Sequence, residues 1–189
     1  MQRLTTKELL AESFKEVAAS KPINNITIAN ITDNCGLTQP TFYRHFKDKY
    51  DLICWIYVTD AQKIMCRIGT DGYLWRDTLM DGARYFSENR DFALNALKHT
   101  TGRDSFLHLL QQVNSELLCT EVRKQLMTEN IPADILTMVK VYCYGTVQYT
   151  FEWLLSGLPI SREEYADVME KCLPEPLRQY LYPGASAFQ

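Results

Sequence analysis

The residues with the most evident chemistry lie between Thr38 and Lys49: Thr-Gln-Pro-Thr-Phe-Tyr-Arg-His-Phe-Lys-Asp-Lys. Phe42 and Phe46 are four apart, so in a helix they define one inner face, and at about 100° per residue Arg44 points nearly opposite them. Pro40, Thr41 and Tyr43 flank that outer side. Gln39 and Pro40 sit at the N-terminal end, the end that meets base edges when such a helix lies in a major groove. A glutamine pairs in bidentate fashion with adenine and an arginine with guanine, while Pro40 and Thr41 offer apolar surface to a thymine methyl. Tyr43, His45 and Lys49 suit phosphate contact, as does Thr27 at the preceding helix start. The Lys49 amide opens the next helix, where the dipole favours an anion.

The punctuation around these residues predicts what positions them. Thr27 caps a short helix with Ile28, Ile31 and Cys35 inward, and Gly36 ends it. Thr38 caps the next, Pro40 sits harmlessly in its first turn, and Leu37 with Phe42 forms a hydrophobic staple. Two short helices joined by Cys-Gly-Leu-Thr have the size of a helix-turn-helix. Before them, Leu10, Phe14, Val17 and Ala18 give a segment from about Thr6 to Ser20 one apolar face, which Lys21-Pro22 ends. Charge is divided to match. Net charge over 189 residues is -3, yet the first fifty carry seven basic and five acidic side chains, a split that marks a nucleic-acid-facing piece on an acidic body.

The rest of the chain is helical in pattern. Long helices are expected over Lys49 to about Cys66, Leu74–Glu88, Ser105 to Thr128 and Ala133–Ser156. A shorter one is expected at Asp91–Lys98, and another opens at the Ser161-x-x-Glu164 capping box. No strand-like alternation persists, so the fold class is all-α. We divide it at residue 50: a three-helix DNA-binding unit over 1–50, and a ligand-sensing and dimerisation bundle over 51–189. The segment Ala133–Ser156 carries two apolar stripes, hence burial on two sides. Gly145 in its middle costs about 1 kcal/mol against alanine, which close backbone approach offsets. One side packs on the body and the other on a second subunit, with Met138, Tyr142, Gly145, Tyr149, Trp153, Val168 and Met169 as interface candidates. The alternative is a core helix of a monomeric bundle. Trp75, Tyr85, Phe86, Phe92, His99, His108 and Met127 are candidates for lining an effector pocket, or form an ordinary aromatic core.

The stretch Ile26-Thr-Ile-Ala-Asn-Ile-Thr-Asp-Asn-Cys-Gly-Leu-Thr-Gln-Pro-Thr-Phe-Tyr-Arg-His-Phe-Lys-Asp-Lys-Tyr-Asp-Leu52 resembles the DNA-binding signature of TetR-family transcriptional regulators. The resemblance covers about residues 6–55. It implies an all-helical homodimer that binds a pseudo-palindromic operator through an N-terminal helix-turn-helix. Residue by residue, it implies DNA contact from Gln39, Pro40, Thr41, Tyr43, His45 and Lys49, with Thr27 at the preceding cap. Repression is the family's commoner mode. The segment Tyr142–Ser161 is similar to the penultimate-helix region of one subgroup, regulators of dihydroxyacetone kinase operons. The acidic first segment departs from members that carry a basic arm for the minor groove.

Other classes fit less well. The histidines stand apart at 45, 99 and 108, and no Gly-x-Ser-x-Gly, His-Glu-x-x-His or glycine-rich phosphate loop occurs. No enzyme activity, metal or cofactor is therefore expected. The six cysteines form no Cys-x-x-Cys pair and read as small hydrophobes. The longest purely apolar run, Leu52–Val58, is far below the ~18–20 residues that span a bilayer. No signal-peptide core follows Met1, so the expected location is the cytoplasm. The expected partners are duplex DNA, a second copy of the chain and an unidentified small-molecule or protein effector. The alternatives are an activator switched by a protein partner, or a helical interaction module that binds no DNA.

Overall fold

The computed structural model describes residues 4–101 and 105–182, and every regular element among them is helical. Helix α1 (Thr6–Ala18) is opened by Thr5, whose hydroxyl accepts from the Glu8 amide while Glu8 reaches back to the Thr5 amide. After a single 3-10 turn at Ile23–Asn25, α2 (Ile28–Asn34) begins with the same reciprocal arrangement between Thr27 and Asn30. Gly36, at φ +70°, makes the left-handed turn that ends it. Thr38 caps α3 (Gln39–Tyr43) by accepting from the Thr41 amide. One further turn follows, through Arg44 to Pro40 and Phe46 to Phe42.

The remaining helices are α4 (Lys49–Met65), α5 (Trp75–Glu88), α6 (Arg90–His99), α7 (Phe106–Leu126), α8 (Ala133–Leu155), α9 (Arg162–Lys171) and α10 (Glu175–Leu181). The capping box at Ser161 and Glu164 forms as its spacing predicts. Helix α10 is additional to the expected set. Pro174 and Pro176 both sit at its start, where a missing N–H costs nothing.

The chain falls into two compact units. One takes the residues up to Thr59 together with Arg90–Phe106; the other takes Asp60–Asn89 and Leu107 onward. In the first, α1 packs on α2 and α6, and α2 on α3. Leu10, Phe14, Ile31, Phe42 and Leu52 are fully buried there. Rings meet edge-on, Phe14 with Phe92 at 5.9 Å and Phe92 with Phe106 at 6.3 Å. Ser13 on α1 donates to the Ile31 carbonyl at 2.6 Å and accepts from Asn34, so a polar pin crosses that core.

In the second unit α5 packs against α9 and α8. Its centre is aromatic. Trp153 and Tyr165 lie 4.7 Å apart, Phe86 meets Phe151 at 6.1 Å, and the Thr150 and Tyr165 hydroxyls share a bond of 2.6 Å. All six cysteines are free, with Cys119 and Cys143 buried. Burial pushes the Cys143 thiol up to about 12.

Candidate DNA-binding face

The outer side of α3 follows from what its inner side must bury. Phe42 is completely enclosed and Phe46 nearly so, each about 5.8 Å from the other and Phe46 the same distance from Trp55. The Lys7 ammonium lies over both the Phe46 and Trp55 rings, at 5.5 and 5.7 Å. With that face fixed, the helical period leaves Thr38, Gln39, Pro40, Tyr43 and Arg44 exposed, Tyr43 at 57%. Thr41 and His45 are half-buried. The Thr38 and Thr41 hydroxyls bond to each other at 2.9 Å, which fixes both rotamers at the entry to the helix. Thr27 is exposed at the start of α2. Its oxygen accepts from Asn30, which leaves the hydroxyl proton to donate outward.

Two of the expected anion contacts look different in three dimensions. The Lys49 ammonium turns inward and donates to the carbonyls of Ile23, Asn24 and Ile26 at 2.8, 2.9 and 2.9 Å. Those are all three of its protons. Burial pulls its pKa below the ordinary lysine value, Asp48 opposing. The N-terminus of α4, expected to attract an anion, already holds one of the chain's own. The Asp48 carboxylate accepts from the Tyr50 and Asp51 amides at 2.8 and 2.9 Å, and Asp51 accepts from the Lys47 amide. The exposed cations beside α3 are therefore Arg44 and Lys47, the second of which the spacing argument overlooked.

Matches to known families agree with this geometry. Residues 14–53 match the family described as bacterial regulatory proteins, tetR family, and residues 74–174 match the transcriptional regulator C-terminal region. The chain belongs to the TetR family. It is accordingly a transcription regulator rather than an enzyme. A curated relative, the HTH-type dhaKLM operon transcriptional activator DhaS of Lactococcus lactis subsp. lactis (strain IL1403), is 27% identical over 89 residues. That stretch is 47% of each chain, about half the length of the relative. Two solved structures share the fold. The Dihydroxyacetone kinase operon activator DhaS superposes with a TM-score of 0.67 at 20% identity, covering 90% of this chain and 95% of its own. A TetR transcriptional regulator from Rhodococcus sp. RHA1 gives 0.62 at 13% identity, over 88% and 92%.

The body of the regulator places the remaining candidates. Trp75 is buried and donates its indole N–H to the Tyr142 hydroxyl at 3.1 Å. Phe86 packs on Phe151 and on Tyr85, and Phe92 lies between Phe14 and Phe106. These four aromatics are thus in ring-packed cores, and they divide between the two units, Phe92 in the first and Trp75, Tyr85 and Phe86 in the second. His99 borders a cleft of about 410 Å³ with Asn24, Tyr50 and Lys98. His108 bonds Gln112 one turn along α7. Met127 stands 94% exposed just beyond α7, at φ +53°. A cleft of about 710 Å³ in the second unit is lined instead by Arg84, Ser87, Leu158 and Arg162 among others, residues that the pattern did not single out.

The interface candidates split in the same way. Tyr142, Trp153 and Met169 lie inside the second unit: the Tyr142 hydroxyl donates to the Met169 carbonyl at 2.9 Å and the Trp153 indole to the Ile160 carbonyl at 3.0 Å. All three are buried within the protomer, on the side of α8 and α9 that faces its own core. Met138 is half-buried, while Gly145, Tyr149 and Val168 are exposed. Val141 at 68%, Tyr144 at 38% and Leu155 at 52% join them, all missed from sequence. On α8 Val141, Tyr144, Gly145, Tyr149 and Leu155 share the outer side, interleaved with the exposed Gln148 and Glu152. No atom lies within 4 Å of where a Gly145 Cβ would stand, so the glycine answers no close approach inside the protomer.

Proposed function

We propose that this TetR-family regulator acts as a homodimer on a pseudo-palindromic operator, reading base edges with Gln39, Pro40 and Arg44. Thr27, Thr38, Thr41, Tyr43, His45 and Lys47 position it on the backbone. The observation that carries the reading is the exposed polar side of α3, set by the burial of Phe42 and Phe46 beneath it. Residues 1–50 then form the reading head and 51–189 the sensing and pairing body, working in the cytoplasm where duplex DNA is available. The outer stripe of α8 with Val168 of α9 is the pairing surface. A mid-helix glycine with no reason for being inside its own protomer fits one backbone approaching another. An effector on the body shifts DNA affinity only by as much as it prefers one arrangement of the two heads.

The first reading is a repressor released by a small molecule. A second, an activator switched by a protein partner, is favoured by two observations: the curated relative is named an activator, and the aromatics expected to line a pocket are engaged in ring contacts instead. Selection from random-sequence duplex DNA at ~150 mM salt tests the DNA reading. The expected result is enrichment of a two-fold-related site, lost in the Tyr43→Ala/Arg44→Ala variant. Absence of any enriched site with folded protein would refute it. A reporter carrying the selected site, with and without the protein, then gives the sign of regulation.

A further inference from the structure

The connection between α1 and α2 is short and irregular, yet its backbone polar groups are held from two sides by side chains distant in sequence. On one side Lys49 of α4 donates to the carbonyls of Ile23, Asn24 and Ile26. On the other, Asn95 of α6 donates to the carbonyls of Ala18 and Lys21 at 2.8 and 2.9 Å, and its own oxygen accepts from the Ile23 amide at 3.1 Å. Ile23 and Ile26 anchor the segment in the core, 0% and 2% exposed. The next residue is Thr27, the cap of α2, and Lys21 reaches forward to Asn30 in that cap's reciprocal pair at 2.6 Å. Six main-chain atoms of one turn are thus fixed by two side chains. The direction in which α2 starts, and with it the seat of α3, depends on them.

We propose that Asn95 and Lys49 are positioning residues for operator recognition, clamping the turn that sets α2 and α3, and that Lys49 makes no phosphate contact of its own. The inference rests on the DNA-binding reading above. It separates two roles that a loss of binding alone would merge. A lysine on a phosphate contributes to the salt dependence of binding, about 0.9 in the slope of log K against log salt per neutralised phosphate. A lysine held on neutral carbonyls keeps its charge but neutralises no phosphate directly, so it contributes well under one charge to that slope. A positioning side chain also affects the specific complex far more than the non-specific one, because backbone attraction tolerates a misplaced head and base readout does not.

The test uses the full chain with Asn95→Ala and Lys49→Ala, an operator duplex from the selection and a scrambled duplex of equal length, titrated across a range of salt. The expected result is a loss of specific affinity of about tenfold or more for each variant, on the scale of one to three lost hydrogen bonds. Non-specific affinity stays within about twofold, and the salt slope falls by well under the value for one charge, whereas Lys47→Ala lowers it by about 0.9. Wild-type specific binding by Asn95→Ala, or a slope lowered by a full charge in Lys49→Ala, would overturn the proposal. Should Asn95→Ala melt too easily to titrate, hydrogen exchange of the DNA-free Asn95→Ser chain replaces it. The Ile23 and Asn30 amides then exchange faster while those of α10 do not, and unchanged protection at Ile23 overturns the clamp. Because exchange is read without DNA, it separates failure of the clamp from failure of the DNA reading itself.

Discussion

Helices α3 and α8 are both amphipathic surfaces, and the contrast between them shows when a sequence pattern can assign a side. Helix α3 has five residues, and only Phe42 among them is buried. Everything opposite it is polar or small, so the period has one solution. Helix α8 has 23 residues and buries Ile135, Val139, Tyr142, Cys143, Val147, Phe151, Trp153 and Leu154, yet still exposes Val141, Tyr144, Tyr149 and Leu155. Its outer side is mixed: these four stand among Asp134, Thr137, Lys140, Gln148 and Glu152, so the polar residues mark which side faces out while the apolar ones beside them mark surface still to be covered. A helix wholly polar on one side reports its orientation alone; a helix whose outer side mixes polar and apolar residues also reports a second surface to be covered.

The largest expected effect separates the two stripes of α8. Val141→Glu with Tyr144→Glu places charge on the exposed stripe without touching the buried one. Light scattering should show monomers of unchanged fold, and operator affinity should drop by about 100-fold or more, since two linked heads gain that much over one. A dimer that survives both charges would remove α8 from the interface. Phe42→Ala attacks the other helix from beneath. Emptying a fully enclosed phenylalanine site costs about 3–5 kcal/mol, to be read by denaturant unfolding.

A pH titration sharpens the comparison by addressing two buried acids of the second unit. Burial raises the Cys143 thiol from 9.0 and the Tyr165 phenol from 10.0, each to about 12. Both groups hold their protons more tightly folded than unfolded. Their contribution is therefore complete below about pH 9 and is lost as pH climbs through about 12. Thermal melts should fall across that alkaline window, and less steeply after Cys143→Ala. A flat profile would mean that neither group is sealed from solvent. The smallest effect belongs to a cap: Thr27→Ala should cost about 1 kcal/mol, read as faster amide exchange over α2.

Local punctuation carried most of the fold. The caps at Thr27, Thr38 and Ser161 and the turn at Gly36 depend on residues within four positions of each other, and all four were legible. Helix α10 was obscured because Pro174 and Pro176 signal a break and a start alike. The inward turn of Lys49 was hidden for a different reason. Its partners are carbonyls more than twenty residues away, and a carbonyl leaves no mark in the amino-acid sequence. The same holds for Asn95, an unremarkable asparagine in α6 until its three backbone partners are seen. On the body, Trp75, Phe86 and Tyr142 were recognisable as chemically rich, but their use in packing is a matter of tertiary placement.

The central claim is that the outer side of α3 reads DNA while the outer stripe of α8 pairs two copies. Native mass spectrometry of the selected duplex with protein, run for the wild type, Tyr43→Ala/Arg44→Ala and Val141→Glu/Tyr144→Glu, addresses both halves at once. The account predicts two protomers per duplex for the wild type, free dimer without DNA for the α3 variant, and free monomer for the α8 variant. One protomer bound to the symmetric site, or α8-variant complexes as abundant as those of the wild type, would contradict it.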